Sequence, residues 1–190
     1  MSADHVDASE FVRPARAADV ADLARIQVAS WRSSYADLIP GAVLTELTSG
    51  DAEARWREQW QASLGSPPTS RHHILVAVTA AGSGPRLVAG FASCGPATDS
   101  DRWPATDAEL YELRVAPDLT GRGHGSRLLN AVADTLAEDG FRTACAWALE
   151  SDQALPRFLE SAGWARDGAS KRLDMGATVP MVRLHTTVGP

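Results

Sequence analysis

Apolar positions return at helical spacing in several stretches of the chain. Val20, Leu23, Ala24, Val28 and Trp31 fall on one face of a helix, and Asp19 in front of them is a residue type suited to an N-cap. Pro40-Gly41 breaks that pattern. Ala42 to Leu47 reads as a second short helix, and Asp51 to Ala62 as a third, with Trp56 and Trp60 one turn apart and Glu53 one turn before Arg57. Leu128, Val132 and Leu136 mark a fourth helix that ends at Gly140, followed by Phe141. Leu155, Phe158, Leu159 and Ala162 mark a fifth, which ends at Gly163-Trp164.

Between these stretches lie β-rich runs. Phe11 to Arg13 reads as a short edge strand stopped by Pro14. Ile74 to Val78 and Leu87 to Cys94 read as a hairpin joined by turn chemistry from Ala80 to Pro85. Glu109 to Val115, Thr143 to Leu149, Ala165 to Met175 and Val179 to Val188 complete the set, the last two as an antiparallel pair. The polar stretches Gly65 to Arg71 and Gly95 to Asp107, each with two prolines, read as loops, and the second is placed to line a site. The class is therefore α+β. Met1 to Glu10 reads as a flexible tail, and residues 11 to 190 as one domain.

The strand Glu109 to Val115 runs into Ala116-Pro117-Asp118-Leu119-Thr120-Gly121-Arg122-Gly123-His124-Gly125-Ser126, and the fourth helix begins there. A strand, a turn with glycine at every second position and a helix N-terminus can hold a phosphate. Glycine lets the backbone approach an anion closely, the first N–H groups of a helix have no partner within it, and its dipole is positive at that end. The spacing excludes a Walker loop, which needs Gly-Lys-Ser/Thr, and the Gly-x-Gly-x-x-Gly of dinucleotide folds. Gly121 to Ser126 is thus read as a pyrophosphate cradle, with a tight strand–helix turn as the plainer reading.

These residues closely resemble the acetyl-CoA-binding motif of the GNAT N-acetyltransferase superfamily, Gln/Arg-x-x-Gly-x-Gly/Ala, except that Thr120 stands at its first position. Arg13-Pro14-Ala15, Asp19, Ser30 to Tyr35 and Leu38-Ile39-Pro40 resemble the opening of the family. Trp147 to Asp152 and Arg157 to Trp164 resemble its later segment. The resemblance spans about Phe11 to Leu184. It implies the GNAT fold, a mixed, mostly antiparallel central sheet with helices on both faces, and transfer of an acetyl group from CoA to a primary amine by direct attack.

The resemblance also assigns roles. Strand alternation puts Glu109, Tyr111, Leu113 and Val115 on one face, and Glu112 with Arg114 on the other as a simple ion pair or solvated face. The family often splays this strand at a bulge, which frees amides near Leu113 and Val115 for the thioester carbonyl and the pantetheine arm. Glu109 matches the glutamate general base of several members; a structural carboxylate is the alternative. Leu113, Arg114, Val115, Thr120, Gly121, Arg122, Gly123, His124, Gly125, Ser126 and Asp152 are the expected CoA-binding positions. Arg122 and Arg127 are placed to neutralise phosphates or to be solvated. The His124 ring is expected to face solvent or those phosphates. Asp152 stands where an asparagine often bonds the CoA arm. Trp31, Tyr35 and Tyr111 are the expected acceptor contacts, with core packing as the alternative for Trp31. Leu159 stands where many members carry a tyrosine that protonates the CoA thiolate. With the departures at Thr120, Asp152 and Leu159, a non-catalytic CoA-binding module remains the alternative function.

Composition narrows the partners. The net charge of −6 argues against a nucleic-acid surface and is compatible with a cationic amine. No apolar run is long enough to cross a bilayer, and no secretory signal opens the chain. Cys94 and Cys145 sit in apolar surroundings and read as small buried hydrophobes, which points to a reducing cytoplasm. His72 and His73 are neighbours on a strand and point to opposite faces, so no metal is expected. The expected partners are acetyl-CoA and a small-molecule or peptide amine, without nucleic acid or membrane; a homodimer is allowed.

Overall fold

The computed structural model describes residues 10–80 and 86–189. Seven strands form one sheet in the order β1-β2-β3-β4-β5-β7-β6. They are β1 (Phe11–Pro14), β2 (His73–Ala80), β3 (Arg86–Pro96), β4 (Asp107–Val115), β5 (Thr143–Leu149), β6 (Ala165–Asp174) and β7 (Thr178–Thr187). All neighbours are antiparallel except β4 and β5. The five helices are α1 (Val20–Ser34), α2 (Gly41–Thr48), α3 (Ala52–Gly65), α4 (His124–Glu138) and α5 (Ala154–Ser161). The turn expected from Ala80 to Pro85 and the tail expected from Met1 to Glu10 fall almost wholly outside the described residues.

Each face of the sheet has its own core. On one face, Leu128, Leu129, Val132 and Leu136 of α4 pack with Leu159 of α5 onto Ala92, Leu110, Ala146 and Leu184. On the other, Leu23, Ala24 and Ile26 of α1 and Trp60 of α3 pack onto Val76, Val78, Val88 and Phe91. Trp60 meets Phe91 edge to face at 5.0 Å. A third cluster joins Tyr35 and Ile39, beyond α1, to Leu149 and Val179. Burial of these helix stripes is the main force that holds the layers to the sheet.

The helix ends follow the glycines. Gly140 takes φ 81°, and the Phe141 amide then donates back to the Leu136 carbonyl at 3.0 Å. Trp164 makes the same bond to Leu159 at 3.1 Å after Gly163. The Asp19 expectation is corrected. Its side chain does not cap α1. It accepts from the Arg16 amide at 2.7 Å and from the Arg13 guanidinium at 2.7 and 2.9 Å, and so ties β1 to the short 3-10 turn before α1. Those bonds, the one from Arg13 foremost, hold its carboxyl below the usual carboxylate range.

Two irregularities of β4 shape everything at the site. Opposite β3, Cys94 faces Leu110 and Ser93 faces Glu112, so Tyr111 is an extra residue, a β-bulge. Opposite β5, pairing runs from Asp107–Thr143 to Leu110–Ala146 and stops there. Beyond Leu110 the two parallel strands part and the sheet is split.

Candidate active site

The bulge inserts one residue into a period of two, so it reverses the faces of everything after it. The expected alternation is thereby corrected. Leu113 and Val115 share the α4 face with Ala108 and Leu110. Glu109, Tyr111, Glu112 and Arg114 line a cavity with Trp31 and Tyr35. Glu112 and Arg114 do form the expected ion pair, at 2.8 Å, but they form it in the cavity wall, with the Arg114 side chain 12% exposed.

On the α4 face lies a cleft of about 440 Å³. Its walls are Leu113, Val115 and Leu119 on one side and Ala154, Leu155 and Phe158 on the other. Its floor is Thr120, Gly121, Gly123, His124, Gly125 and Ser126. Gly121 and Gly123 adopt φ 73° and 82°, backbone that other residues rarely take. Among residues 121–127, the backbone bond at the start of α4 is that of Arg127 to the Gly123 carbonyl, 3.0 Å, and the amides of 121–126 have no backbone acceptor among the described residues. A row of unpaired amides at a positive helix end, in an open glycine turn, fits the diphosphate of CoA. The apolar walls fit its pantetheine arm.

The strand edge continues that row. Ala116 donates its N–H to Ala89 of β3 at 2.8 Å. Alternation then turns the Arg114 amide toward β3 and the amides of Leu113 and Val115 toward the split, where β5 has already departed. Two donors therefore point into the gap between the strands.

Side chains of the cradle behave differently from expectation. His124 is 2% exposed, not solvent-facing. Its Nδ1 lies 3.3 Å from the Arg127 guanidinium, and its Nε2 has no partner. Burial, with Arg127 and Arg122 nearby, outweighs Glu10 and lowers its pKa, so the neutral ring adds no charge for phosphates. Arg127 is engaged by Glu10, while Arg122 is exposed. The Thr120 hydroxyl bonds the Pro117 carbonyl at 3.0 Å. Asp152, one residue before the N-cap Gln153, accepts from the amides of Ala154 at 2.8 Å and Leu155 at 3.4 Å and so satisfies the first two amides of α5. Leu159 is fully buried in the core; Phe158 is the neighbour that reaches the cleft.

On the opposite face the cavity measures about 270 Å³. Trp31 of α1 and Tyr35 just beyond its end meet edge to face at 4.9 Å. The Arg114 guanidinium donates to the Tyr35 hydroxyl at 2.8 Å and lies over both rings, at 5.5 and 5.0 Å. Burial alone would lower the pKa of Arg114, but Glu112 and Tyr35 outweigh it and fix the charge. Burial raises the pKa of Tyr35, and that of Tyr111 with help from Glu109. The Tyr111 hydroxyl donates to the Pro96 carbonyl at 2.6 Å. Glu109 takes two bonds on Oε2, from the Thr98 amide at 3.1 Å and its hydroxyl at 2.7 Å.

Sequence reasoning missed part of this wall. Leu149 of β5 pairs with Met181 of β7, and Met181 with Lys171 of β6, so three distant segments form one row across the strands. Trp147 stands beside that row, its indole N–H donating to Asp99 at 2.9 Å and its ring 4.0 Å from the Lys171 ammonium. The 97–106 loop braces the cavity from behind and lines neither cleft. It supplies Thr98 to Glu109 and Asp99 to Trp147. Arg183, 5% exposed, gathers Asp99, Asp101 and Asp167 around itself at 2.6–2.9 Å. The hydrogen bonds from Arg183, chiefly, bring the Asp101 carboxyl down to about 2. No local pattern announces this set, because strand pairing assembles it.

A small cavity of about 30 Å³ sits at the split and shares lining residues with both clefts. It is lined by Leu113 and Leu155 from one side and by Tyr35, Tyr111, Arg114 and Trp147 from the other. The cysteines stand outside this path as free, buried thiols, and burial, foremost, pushes each up to about 12. His73 pairs with Asp139 at 2.7 Å, and His72 bonds Thr69 at 2.9 Å. Among the described residues no helix is long and apolar enough to cross a membrane.

A model of the acetyltransferase (GNAT) family matches residues 41–164. The chain is 30% identical over 144 residues to YuaI, an uncharacterized N-acetyltransferase of Bacillus subtilis (strain 168), across 76% of this chain and 74% of the relative. It is 35% identical over 101 residues to an N-acetyltransferase of Streptomyces griseus, across 53% of this chain and half of that relative's length. Its fold is similar to that of yncA from Salmonella typhimurium, solved with its cofactor acetyl-CoA, at TM-score 0.66 and 19% identity over 95% of this chain and 94% of that one. The matched span runs from α2 to the end of α5 and so includes the split, the cradle and Glu109. On that match and the N-acetyltransferase relatives, this chain is an acyltransferase and belongs to the acetyltransferase (GNAT) family.

Proposed function

We propose that this protein moves the acetyl group of acetyl-CoA directly to a primary amine. The observation that carries the reading is the pair of clefts on opposite faces of the sheet, with a small cavity at the gap between β4 and β5 that shares lining residues with both. When bound, acetyl-CoA supplies a thioester carbonyl to be attacked and a thiolate able to leave. The amides of Gly121 to Ser126 hold its diphosphate, and Leu113, Leu155 and Phe158 guide its arm toward the split. The amides of Leu113 and Val115 donate to the thioester oxygen as it gains charge, a role worth several kcal/mol in comparable sites, about 2.7–4 for one donor. Glu109 accepts the proton that the attacking amine must shed, through a water on Oε1, while Thr98 holds Oε2. Holding both reactants at one gap lowers the barrier further by removing their freedom to diffuse apart. Leu159, buried in the core, offers no acid to the thiolate. A thiol with a pKa near ~8.5 leaves tolerably without one near neutral pH.

The assay is CoA release across a broad amine panel, with acetyl-CoA binding measured in parallel by calorimetry. Turnover with at least one amine is expected. Binding without turnover on any amine would instead favour a CoA-binding module that lacks catalysis.

A further inference from the structure

The charges around the acceptor cavity are matched with two exceptions. Glu112 is paired with Arg114, and Arg114 also donates to Tyr35. Arg183, behind the wall, is spent on three aspartates. Glu109 is bonded to the neutral Thr98, and no cation among the described residues lies within ion-pair distance of it. Lys171 lines the same cavity, and no carboxylate among the described residues lies within ion-pair distance of its ammonium. Its position is nevertheless defined. The ammonium sits over the Trp147 ring at 4.0 Å, and the ring is fixed through its N–H to Asp99, which Arg183 holds in turn. The cavity thus presents one uncompensated charge of each sign among the described residues, on walls that otherwise hold the Glu112–Arg114 pair and aromatic and apolar side chains, among them Trp31, Ile39, Leu173 and Met181.

We propose that the acceptor is a small amine that also bears a carboxylate, and that Lys171 is the side chain that selects it. This rests on the acetyltransferase reading above and names the substrate class of that site. The ammonium of such an acceptor is drawn toward Glu109 and the split, and its carboxylate toward Lys171. A polyamine would set a second cation against Lys171, and a plain alkylamine would leave Lys171 unmatched. The cavity, about 270 Å³, lies just below the ~300–1,000 Å³ of drug-sized pockets, which suits an amino acid with an apolar side chain better than a peptide.

The experiment measures kcat/KM by CoA release for leucine, methionine, phenylalanine and a series of ω-amino acids, each against its own carboxamide. Wild type is expected to favour at least one acid over its amide by about 10- to 100-fold, the scale of one hydrogen bond to a charged group. Lys171→Met, which keeps the stem over Trp147, should bring that ratio toward one by raising KM for the acid rather than lowering kcat. Lys171→Arg should retain the preference. Equal kcat/KM for every acid and amide in wild type, or a preference that survives Lys171→Met, would overturn the carboxylate subsite and leave the acetyltransferase reading standing. No CoA release with any member of this set or of the broad amine panel would overturn both. Release confined to amines without a carboxylate overturns this inference alone.

Discussion

The two clefts are built by different means. The cradle cleft is made from backbone: unpaired amides of residues 121–126 and of a strand edge, with apolar side chains as walls. The cavity on the other face, proposed for the acceptor, is made from side chains: two carboxylates, an arginine, a lysine and the aromatic residues Trp31, Tyr35, Tyr111 and Trp147. A backbone site recognises what every member of a family must bind and tolerates side-chain change. A side-chain site can be rewritten one residue at a time, and specificity follows from it.

The division can be broken most forcefully in the backbone cleft. Gly123→Glu forces a non-glycine residue into φ 82° and sets a negative charge against the diphosphate. Acetyl-CoA affinity should fall by about 10²-fold or more, a loss of roughly 2.8 kcal/mol. Equal affinity in calorimetry would remove the cradle from the mechanism. The counterpart in the other cleft is Glu109→Gln, which should lower kcat/KM by about 10²-fold while acetyl-CoA affinity holds. Unchanged turnover would reduce Glu109 to a partner of Thr98, and a matching loss of CoA affinity would show that the clefts are not separable.

Smaller effects sharpen the picture. Asp152→Ala removes the acceptor for two α5 amides and should cost about 1 kcal/mol in denaturant unfolding. Asp152→Asn should restore most of that, because the asparagine oxygen accepts as well. If the alanine variant unfolds like wild type, the carboxylate does not hold the start of α5. Least in size is a pH effect. His124 has a lowered pKa in the folded protein, so around and below ~6.5 the unfolded chain binds the proton more readily than the folded one. Its contribution to stability is therefore present above that pH and is lost as pH falls through the folded value. His124→Leu should flatten the slope of stability below about pH 6.5. Parallel slopes in variant and wild type would place the buried proton elsewhere. Asp19, Asp107 and Asp167, all with lowered values, act only at lower pH.

The site was unevenly legible. The turn before α4 could be read because glycines at fixed spacing before a helix have a direct backbone meaning, and Gly121 and Gly123 do take positive φ there. Glu109 and Tyr35 were named, and they do meet in one cavity. Arg114 was assigned to the cofactor through its strand, yet its guanidinium faces the acceptor side. His124 was expected to face solvent or the CoA phosphates; it is buried and lines the cradle cleft. Lys171 and Trp147 were not singled out as site residues, since a lysine on an exposed strand and a tryptophan on an inner one carry no local mark of their meeting.

Local pattern was enough to read the order and type of the elements, the glycine ends of α4 and α5, the glycine turn before α4 and the resemblance to the family. Periodicity, turn chemistry and helix termini depend on residues a few positions apart, so one dimension suffices. The tertiary structure decided which way β4 faces, because a bulge at Tyr111 is set by pairing with β3 and shifts every later side chain by one. It also decided where β5 leaves β4 and which residues of β5, β6 and β7 stand in one row, and so what the acceptor meets. Those are contacts across the sheet, and a register has no signature in a single strand.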